Sequence, residues 1–388
     1  MMTVKPIKNK LNLKDRFGDR KTASVYLDTD QKLMHFFTCT GDEVAVESYE
    51  YDCNDFSDDF YRRVNECANA FAGKIGAIKK PKLAIVLPDT AVFTDVISVP
   101  VMRGKSPKST LDIMLSGSFP KRNDLTIQEY PADKTKQGYT YFVTGVRTEI
   151  VSTLKAVCSS QKNAVSGCSY AAESLILGYG ALGGDIKSSF IFLDVKDNYS
   201  RLVFVYKGLV IGSEIIPFGY SIFDKKVVVN EEKLYNHAAA SRAVIGAYEF
   251  ALSNEISFEE GVTEEDGVEL YYDKDSKKIR RRVLKDGETT EDVSERDIAL
   301  ANYKSLMRRV LAIIKANPDL TAYSGGTEVR INIPERYDAL VDGFNMEIGE
   351  TGVSFSPVRF AESKPEITDN LELFGAQTLE TIKNHNTF

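Results

Sequence analysis

Histidine is scarce in this 388-residue chain. There are three, His35, His237 and His385, and they are scattered. That dispersal argues against a zinc site and leaves Ser-His-Asp and Cys-His mechanisms without support. Five cysteines (Cys39, Cys53, Cys67, Cys158 and Cys168) form no CxxC pair. An odd count without that motif reads as reduced, mostly buried thiols of a cytosolic protein. A basic surplus is missing too: the net charge of −7 argues against broad nucleic-acid binding. No apolar run approaches the roughly 20 residues that span a bilayer. The opening MMTVKPIKNKLNLKDRFGDRK lacks the apolar core of a signal peptide.

What remains is an ordinary globular composition, 43% hydrophobic and 27% charged, long enough for two domains. Residues 1–21 hold seven Lys/Arg against two Asp. They are read as a solvated basic tail, with a weak contact to an anionic membrane face as the alternative. SVYLDTDQKLMHFFTCTGDEVAVESYEY then gives two or three strands. Phe60, Val64, Cys67 and Phe71 recur at helical spacing. LAIVLP (83–88) predicts a buried strand and VFTDVISVP (92–100) its neighbour. STLDIMLSG predicts a short helix, LTIQEYPA and YTYFVTGVR two strands, and EIVSTLKAVCSSQ a helix. SGCSYAAESLILGYGAL (166–182) is expected to be a helix.

The stretch from Phe190 to Phe223, FIFLDVKDNYSRLVFVYKGLVIGSEIIPFGYSIF, predicts three short strands. The first is tipped by Asp194, and Lys207-Gly208 makes a tight turn. NEEKLYNHAAASRAVIGAYEFALSNE predicts a long helix. Residues 254–299 are charge-rich and resemble no clear motif, apart from a hairpin around residues 273–276. The run Lys277-Lys278-Ile279-Arg280-Arg281-Arg282 reads as a solvated strand edge, with an acidic partner as the alternative. LANYKSLMRRVLAIIKANPDL predicts a core helix. TAYSGG is expected to be strand-like, IPERYDALVDGF helical and NMEIG strand-like. NLELFGAQTLETIK closes the chain as an amphipathic segment. Gly178–Gly183 fits GxGxxG, but a helical pattern precedes it, the reverse of a dinucleotide site.

These features resemble the PilM/FtsA branch of the actin-like ATPase superfamily. The Phe190–Phe223 segment resembles its second phosphate hairpin, of pattern D-I-G-A-S-T-T, strand, D-G, strand, I-P-F-G-G. Val99-Pro100-Val101-Met102, Ser118-Phe119-Pro120 and Thr144-Gly145-Val146-Arg147 resemble punctuating motifs of the PilM insert. The resemblance implies an α/β fold of the actin-like ATPase (ribonuclease H-like) class, two related domains with an α+β insert on the first. The expected division is a tail, 1–21; a first core subdomain, 22–82 with 167–187 and 368–388; the insert, 83–166; a second core subdomain, 188–230 with 300–367; and a helical and hairpin subdomain, 231–299.

The resemblance also implies a nucleotide site of Asp28, Asp194, Ser200, Ser324, Gly325 and Gly326, taking ATP with Mg2+. In the first tip, D-I-G-S-S-S-I-K corresponds to Asp28-Thr29-Asp30-Gln31-Lys32-Leu33, with Asp30 where Gly is usual. In the second, Lys196 replaces Gly. Phosphate turns favour Gly because the backbone must approach the phosphate closely. The acidic residues usual at the start of the return helix are replaced by Ser169-Tyr170-Ala171. The expected site is therefore degenerate, with no assigned catalytic residue, metal or cofactor. The implied function is a cytoplasmic scaffold of a type IV pilus or related secretion assembly, at the cytoplasmic face of the membrane. It would bind the short tail of a PilN-like membrane protein in a groove near residues 83–147, and self-association is a further expectation. An active ATPase or phosphotransferase is the alternative. An FtsA-like division protein is the third reading, disfavoured because the sequence stops at Phe388 just after its last core helix.

Overall fold

The computed structural model describes residues 22–40, 43–76, 82–118, 124–134, 138–160, 163–223, 268–273, 278–283, 289–292, 295–326, 328–347, 353–360 and 364–378. Two compact units divide the chain. The first comprises residues 1–188, 206–213 and 359–388, and the second 189–205 and 214–358. The predicted long helix over 230–255 and the basic tail lie outside the described residues.

The first unit is built on strands β1 (Thr22–Asp28), β2 (Leu33–Thr40), β3 (Glu43–Glu50), β4 (Lys82–Leu87) and β8 (Val165–Tyr170), in the order β3-β2-β1-β4-β8. β1, β2 and β3 form an antiparallel meander, while β1, β4 and β8 run parallel. Every residue of β1 is buried, as befits a central strand covered on both faces. Helix α1 (Asp58–Lys74) starts where the Ser57 hydroxyl accepts from the Phe60 N–H. Asp58 and Asp59 sit in its first turn and Lys74 in its last, as the helix dipole favours. The expected stripe of Phe60, Val64, Cys67 and Phe71 is buried.

A separate three-stranded sheet, β5 (Val92–Pro100), β7 (Gly138–Arg147) and β6 (Leu125–Lys134), is antiparallel in the order β5-β7-β6. Helix α2 (Pro107–Ser118) packs Leu111 and Leu115 against Val99 and Val143 of this sheet. Helix α3 is Thr148–Ser160. Two expectations change here. β5 pairs with β7 rather than with β4, because β1 and β8 already occupy both edges of β4. Residues 165–170 are a strand, not the start of a helix, so β4 and β8 both belong to the first five-stranded sheet.

Helix α4 (Ala171–Ala181) is buried along nearly its whole length. The C-terminal helix α9 (Leu371–Gln377) was expected to be amphipathic and is buried on every side. It is tied to the sheet by the Ser24 hydroxyl donating to Leu373 O at 2.6 Å and by Gln377 Nε2 donating to Thr22 O at 2.6 Å.

The second five-stranded sheet repeats the plan. Strands β9 (Phe190–Val195), β10 (Ser200–Tyr206), β11 (Leu209–Ile216), β15 (Glu328–Asn332) and β16 (Ser354–Pro357) lie in the order β11-β10-β9-β15-β16. β10 is antiparallel to β9, and β9, β15 and β16 are parallel. Numbered within each sheet, both read 3-2-1-4-5. The helices are α5 (Glu295–Ala316), α6 (Pro318–Tyr323), α7 (Asp338–Glu347) and, returning to the first unit, α8 (Pro365–Thr368). TAYSGG is therefore the end of a helix and its turn, not a strand, since Pro318 opens α6 as a first-turn residue. The described part of NMEIG, residues 345–347, closes α7.

A third sheet, β12 (Val268–Asp273), β13 (Lys278–Val283) and β14 (Thr289–Asp292), is antiparallel. The basic strand β13 is central in it, not an edge. Its register sets Lys278 opposite Asp273, Arg282 opposite Glu269 and Arg280 opposite Asp292.

Candidate functional site

At the C-terminal tip of β1, Asp28 is buried. Its Oδ1 accepts from the backbone N–H of Asp30 at 3.1 Å and of Gln31 at 2.9 Å. These are amides of the turn that was expected to face a phosphate, and here the side chain's own carboxylate holds them. Asp28 Oδ2 lies 3.7 Å from His35 Nε2. Lys32 closes the turn at φ +57 and reaches Asp55 at 2.7 Å. Tyr51 also donates to Asp55, at 2.7 Å. Asp30, where the family has glycine, has its carboxyl pushed up to about 6. Burial is the main cause, the charges of Asp28 and Asp55 add to it, and Lys32 opposes.

At the tip of β9, Asp194 is fully buried. Its Oδ1 accepts from Asn332 Nδ2 at 2.7 Å, and Lys196 Nζ lies 3.3 Å from its Oδ2. The turn that follows is closed by protein groups. Lys196 N–H donates to Tyr199 O at 2.8 Å. Tyr220 N–H donates to Lys196 O at 2.8 Å, and Ser221 N–H to Asp197 O at 3.1 Å. Gly219 lies so close to the backbone of Asp197 and Asn198 that a Cβ there would overlap it. The Pro217-Phe218-Gly219 loop thus packs directly on the turn. Ser200 keeps the expected hydroxyl, but it is buried and donates to Phe218 O at 2.6 Å.

Ser324, Gly325 and Gly326 lie elsewhere. β15 runs parallel to β9 with Val329 opposite Ile191 and Asn332 opposite Asp194. Ser324–Gly326 precede β15, so they sit at the opposite end of the sheet from Asp194. A Cβ on Gly325 would meet Ser189 O, just before β9, at 3.4 Å. From there to Asp194 is about 16 Å of strand. The three were expected as part of the nucleotide site, and the structure does not bring them together with the strand-tip residues Asp194 and Ser200. Their glycines serve the exit from α6, where Gly325 (φ +78) and Gly326 (φ +53) take left-handed backbone and the Ser324 hydroxyl donates to Leu320 O at 2.8 Å.

Beside Asp28 and Asp194, other residues that stand at the strand tips were not singled out in the sequence. Asn332 holds the third position in the second unit. Its signal was the alternation Val329, Ile331 ahead of Pro334, which begins a helical turn. In the first unit, Asp89 follows β4 and its Oδ1 accepts from Ala172 N–H at 3.0 Å, at the N-terminus of α4. The next residue, Glu173, is buried and accepts from the Ser169 hydroxyl at 2.8 Å. An acidic residue is therefore present in the first turn of this helix. The nearby Tyr130 phenol is pushed up to about 12, first by burial and then by the Glu173 charge. Among the described residues no group of three or more His, Cys, Asp or Glu is arranged to hold a metal ion.

No protein-family model matches the sequence, and no curated protein matches it. Solved structures are similar in fold. A PilM–PilN type IV pilus biogenesis complex is 12% identical at TM-score 0.49, over 92% of this chain and 98% of the other. The cytoplasmic domain of EpsL, an inner-membrane component of the type II secretion system of Vibrio cholerae, is 9% identical at TM-score 0.33, over 50% and 71%. MreB5 of Spiroplasma citri bound to ADP is 11% identical at TM-score 0.41, over 93% and 96%. The chain's own topology, two five-stranded sheets of one strand order, is that of an actin-like ATPase fold. The repeated 3-2-1-4-5 strand order, with an aspartate at the tip of the first strand of each sheet, is the doubled architecture that the sequence motifs implied. Among the described residues, no helix is long and apolar enough to cross a membrane.

Proposed function

We propose that this protein is a cytoplasmic, PilM-like scaffold of a type IV pilus or related secretion assembly, with a nucleotide site that no longer serves turnover. The observation that carries the second half is the closure of both phosphate-type turns by protein groups. Asp28 occupies the amides of its own turn, and the Gly219–Ser221 loop is bonded across the other. A triphosphate would have to displace these bonds, and it would meet the Asp30 carboxylate in the first turn. The residues therefore do not fit a Mg-nucleotide as they stand.

The partner class comes from the motifs of the insert. A PilN-like protein would offer a short cytoplasmic tail, held as an extended peptide by main-chain bonds and side-chain pockets near residues 83–147. The subdivision with residues 83–166 as the insert is refined in this proposal to the β5-β7-β6 sheet with α2, and the chain is placed at the membrane face through its partner.

Thermal unfolding with and without about 1 mM Mg-ATP tests the nucleotide half. A ligand at 100 times its Kd stabilises by about 2.7 kcal/mol, a shift of several degrees. No shift is expected. An upward shift that Asp194→Ala abolishes overturns the reading in favour of an ATP-binding enzyme, the alternative that the two tip aspartates support. Titration of a fluorescent PilN-like tail peptide tests the other half. Saturation with a Kd on the order of 10 μM or tighter is expected, and none by about 1 mM overturns it.

A further inference from the structure

Large apolar side chains are exposed at few places in the described surface, and four of the five such residues fall between positions 101 and 114. Val101 is 61% exposed, Met102 43%, Ile113 52% and Met114 36%. The first two lie in the loop between β5 and α2, and the last two on α2. That helix already spends Leu111 and Leu115 on the core beneath it. Among the described residues, Ile113 and Met114 thus form a second apolar side of α2 that stays exposed. The same segment carries Arg103, Lys105 and Lys108, all exposed, with no carboxylate before Asp112. Lys108 is partly engaged by Glu129 at 3.6 Å, while Arg103 and Lys105 flank Gly104 in the loop. In a chain of net charge −7, this is a local reversal of sign beside an apolar cluster.

We infer that the 101–108 loop and the outer side of α2 form a docking surface for an anionic lipid surface. Two observations favour lipid over a peptide or a second protein. Protruding apolar side chains beside cations are the composition of interfacial binding, in which the apolar groups enter the acyl boundary and the cations meet headgroup phosphates. A peptide site also needs walls, and this face is open. A Cβ at Gly104 or Gly117 would meet no atom within 4 Å. The inference does not depend on the pilus reading, since it rests on the surface of the insert alone.

The test is co-sedimentation of the full chain with phosphatidylcholine vesicles and with vesicles containing about one-third phosphatidylglycerol, at low and high salt. Binding is expected only to the anionic vesicles and should weaken with salt. Arg103→Ala with Lys105→Ala should weaken it on the order of 25-fold, from about five-fold per cation at such a surface. Met102→Glu with Ile113→Glu should weaken it at least as much. All four positions are exposed, and an unchanged circular-dichroism melt verifies that the variants fold. The inference is overturned by an absence of vesicle binding or by equal binding to neutral vesicles. Anionic binding that both double variants retain also overturns it, because another segment then carries it. Light scattering covers the remaining occupant. A dimer that Ile113→Glu dissociates, without vesicle binding, assigns the surface to a second copy and overturns the lipid assignment.

Discussion

Asn332 Nδ2 donates to Asp194 Oδ1 at 2.7 Å, joining the tips of two adjacent parallel strands. This bond, together with Lys196 3.3 Å from the other carboxylate oxygen, surrounds a fully buried charge with protein partners. An aspartate that orients metal-bound water needs an oxygen turned toward solvent. Here the same residue, at the same strand tip, holds the sheet and the following turn together.

Removing the two members of the buried pair should have unequal effects. Lys196→Ala leaves the Asp194 charge without its cation and should cost about 3 kcal/mol, the usual penalty for breaking a buried pair from one side. Asp194→Asn still accepts from Asn332 and leaves an ammonium that is 14% exposed and can turn to water, so about 1 kcal/mol is expected. Urea unfolding followed by circular dichroism measures both. Equal losses would mean that the pair does not neutralise Asp194.

The second turn should depend on its packing partner rather than on a ligand. Ser200→Ala leaves the buried Phe218 carbonyl without its donor and should cost about 1–2 kcal/mol. Gly219→Ala forces a methyl into the backbone of Asp197 and Asn198 and should cost about 3 kcal/mol or more. The same unfolding assay reads both, and a neutral Gly219→Ala would show that the loop is not seated on the turn.

Asp30 predicts a pH dependence of unusual sign. Its carboxyl ionises near 3.8 when unfolded and at about 6 when folded, so between these values the native state holds the extra proton. Stability contributed here is present below the unfolded value and lost as pH rises through the folded one. Solvent screening of a partly exposed group reduces the effect to on the order of 1 kcal/mol. Asp30→Asn should therefore stabilise the protein at pH 7 by about that amount and leave it unchanged at pH 3.5. Paired urea titrations at the two values decide it, and a variant that is less stable at pH 7 refutes the assignment.

Local patterns showed the strands around Asp28 and Asp194 and the α1 face because hydrophobic spacing there reports burial directly. Pairing was less legible. VFTDVISVP and LAIVLP are adjacent in sequence and both read as strands, yet they belong to different sheets. Nothing in either segment records that β8, some 80 residues later, takes the remaining edge of β4. The place of the Ser324-Gly325-Gly326 turn was illegible for a related reason. Glycines at positive φ end helices as readily as they admit phosphates, and only the register of β15 against β9 shows which end of the sheet they occupy. Asp30 and Lys196, by contrast, show in the sequence itself where these turns depart from the glycine of the pattern they resemble.

The C-terminal helix offers the sharpest test of the first unit's packing. Gly375 of α9 lies against Ser174 O and Gly178 N of α4, and Gly178 lies against Leu371 O, so each glycine is a site where two helix backbones touch. That contact gives Gly178 a structural reason to be glycine within its GxGxxG pattern. A methyl at Gly375 would have to displace backbone rather than a side-chain end, and α9 also supplies the bonds from Leu373 and Gln377 to β1. Gly375→Ala should therefore cost about 3 kcal/mol or more. Its melt should lose the transition of the first unit before that of the second, which hydrogen exchange on β1 and β9 resolves. Ser324→Ala, in the second unit, frees the partly buried Leu320 and Thr321 carbonyls, should cost about 1 kcal/mol without lowering β1 protection, and serves as the control. Protection of β1 amides that survives Gly375→Ala intact would show that α9 does not clamp the first sheet.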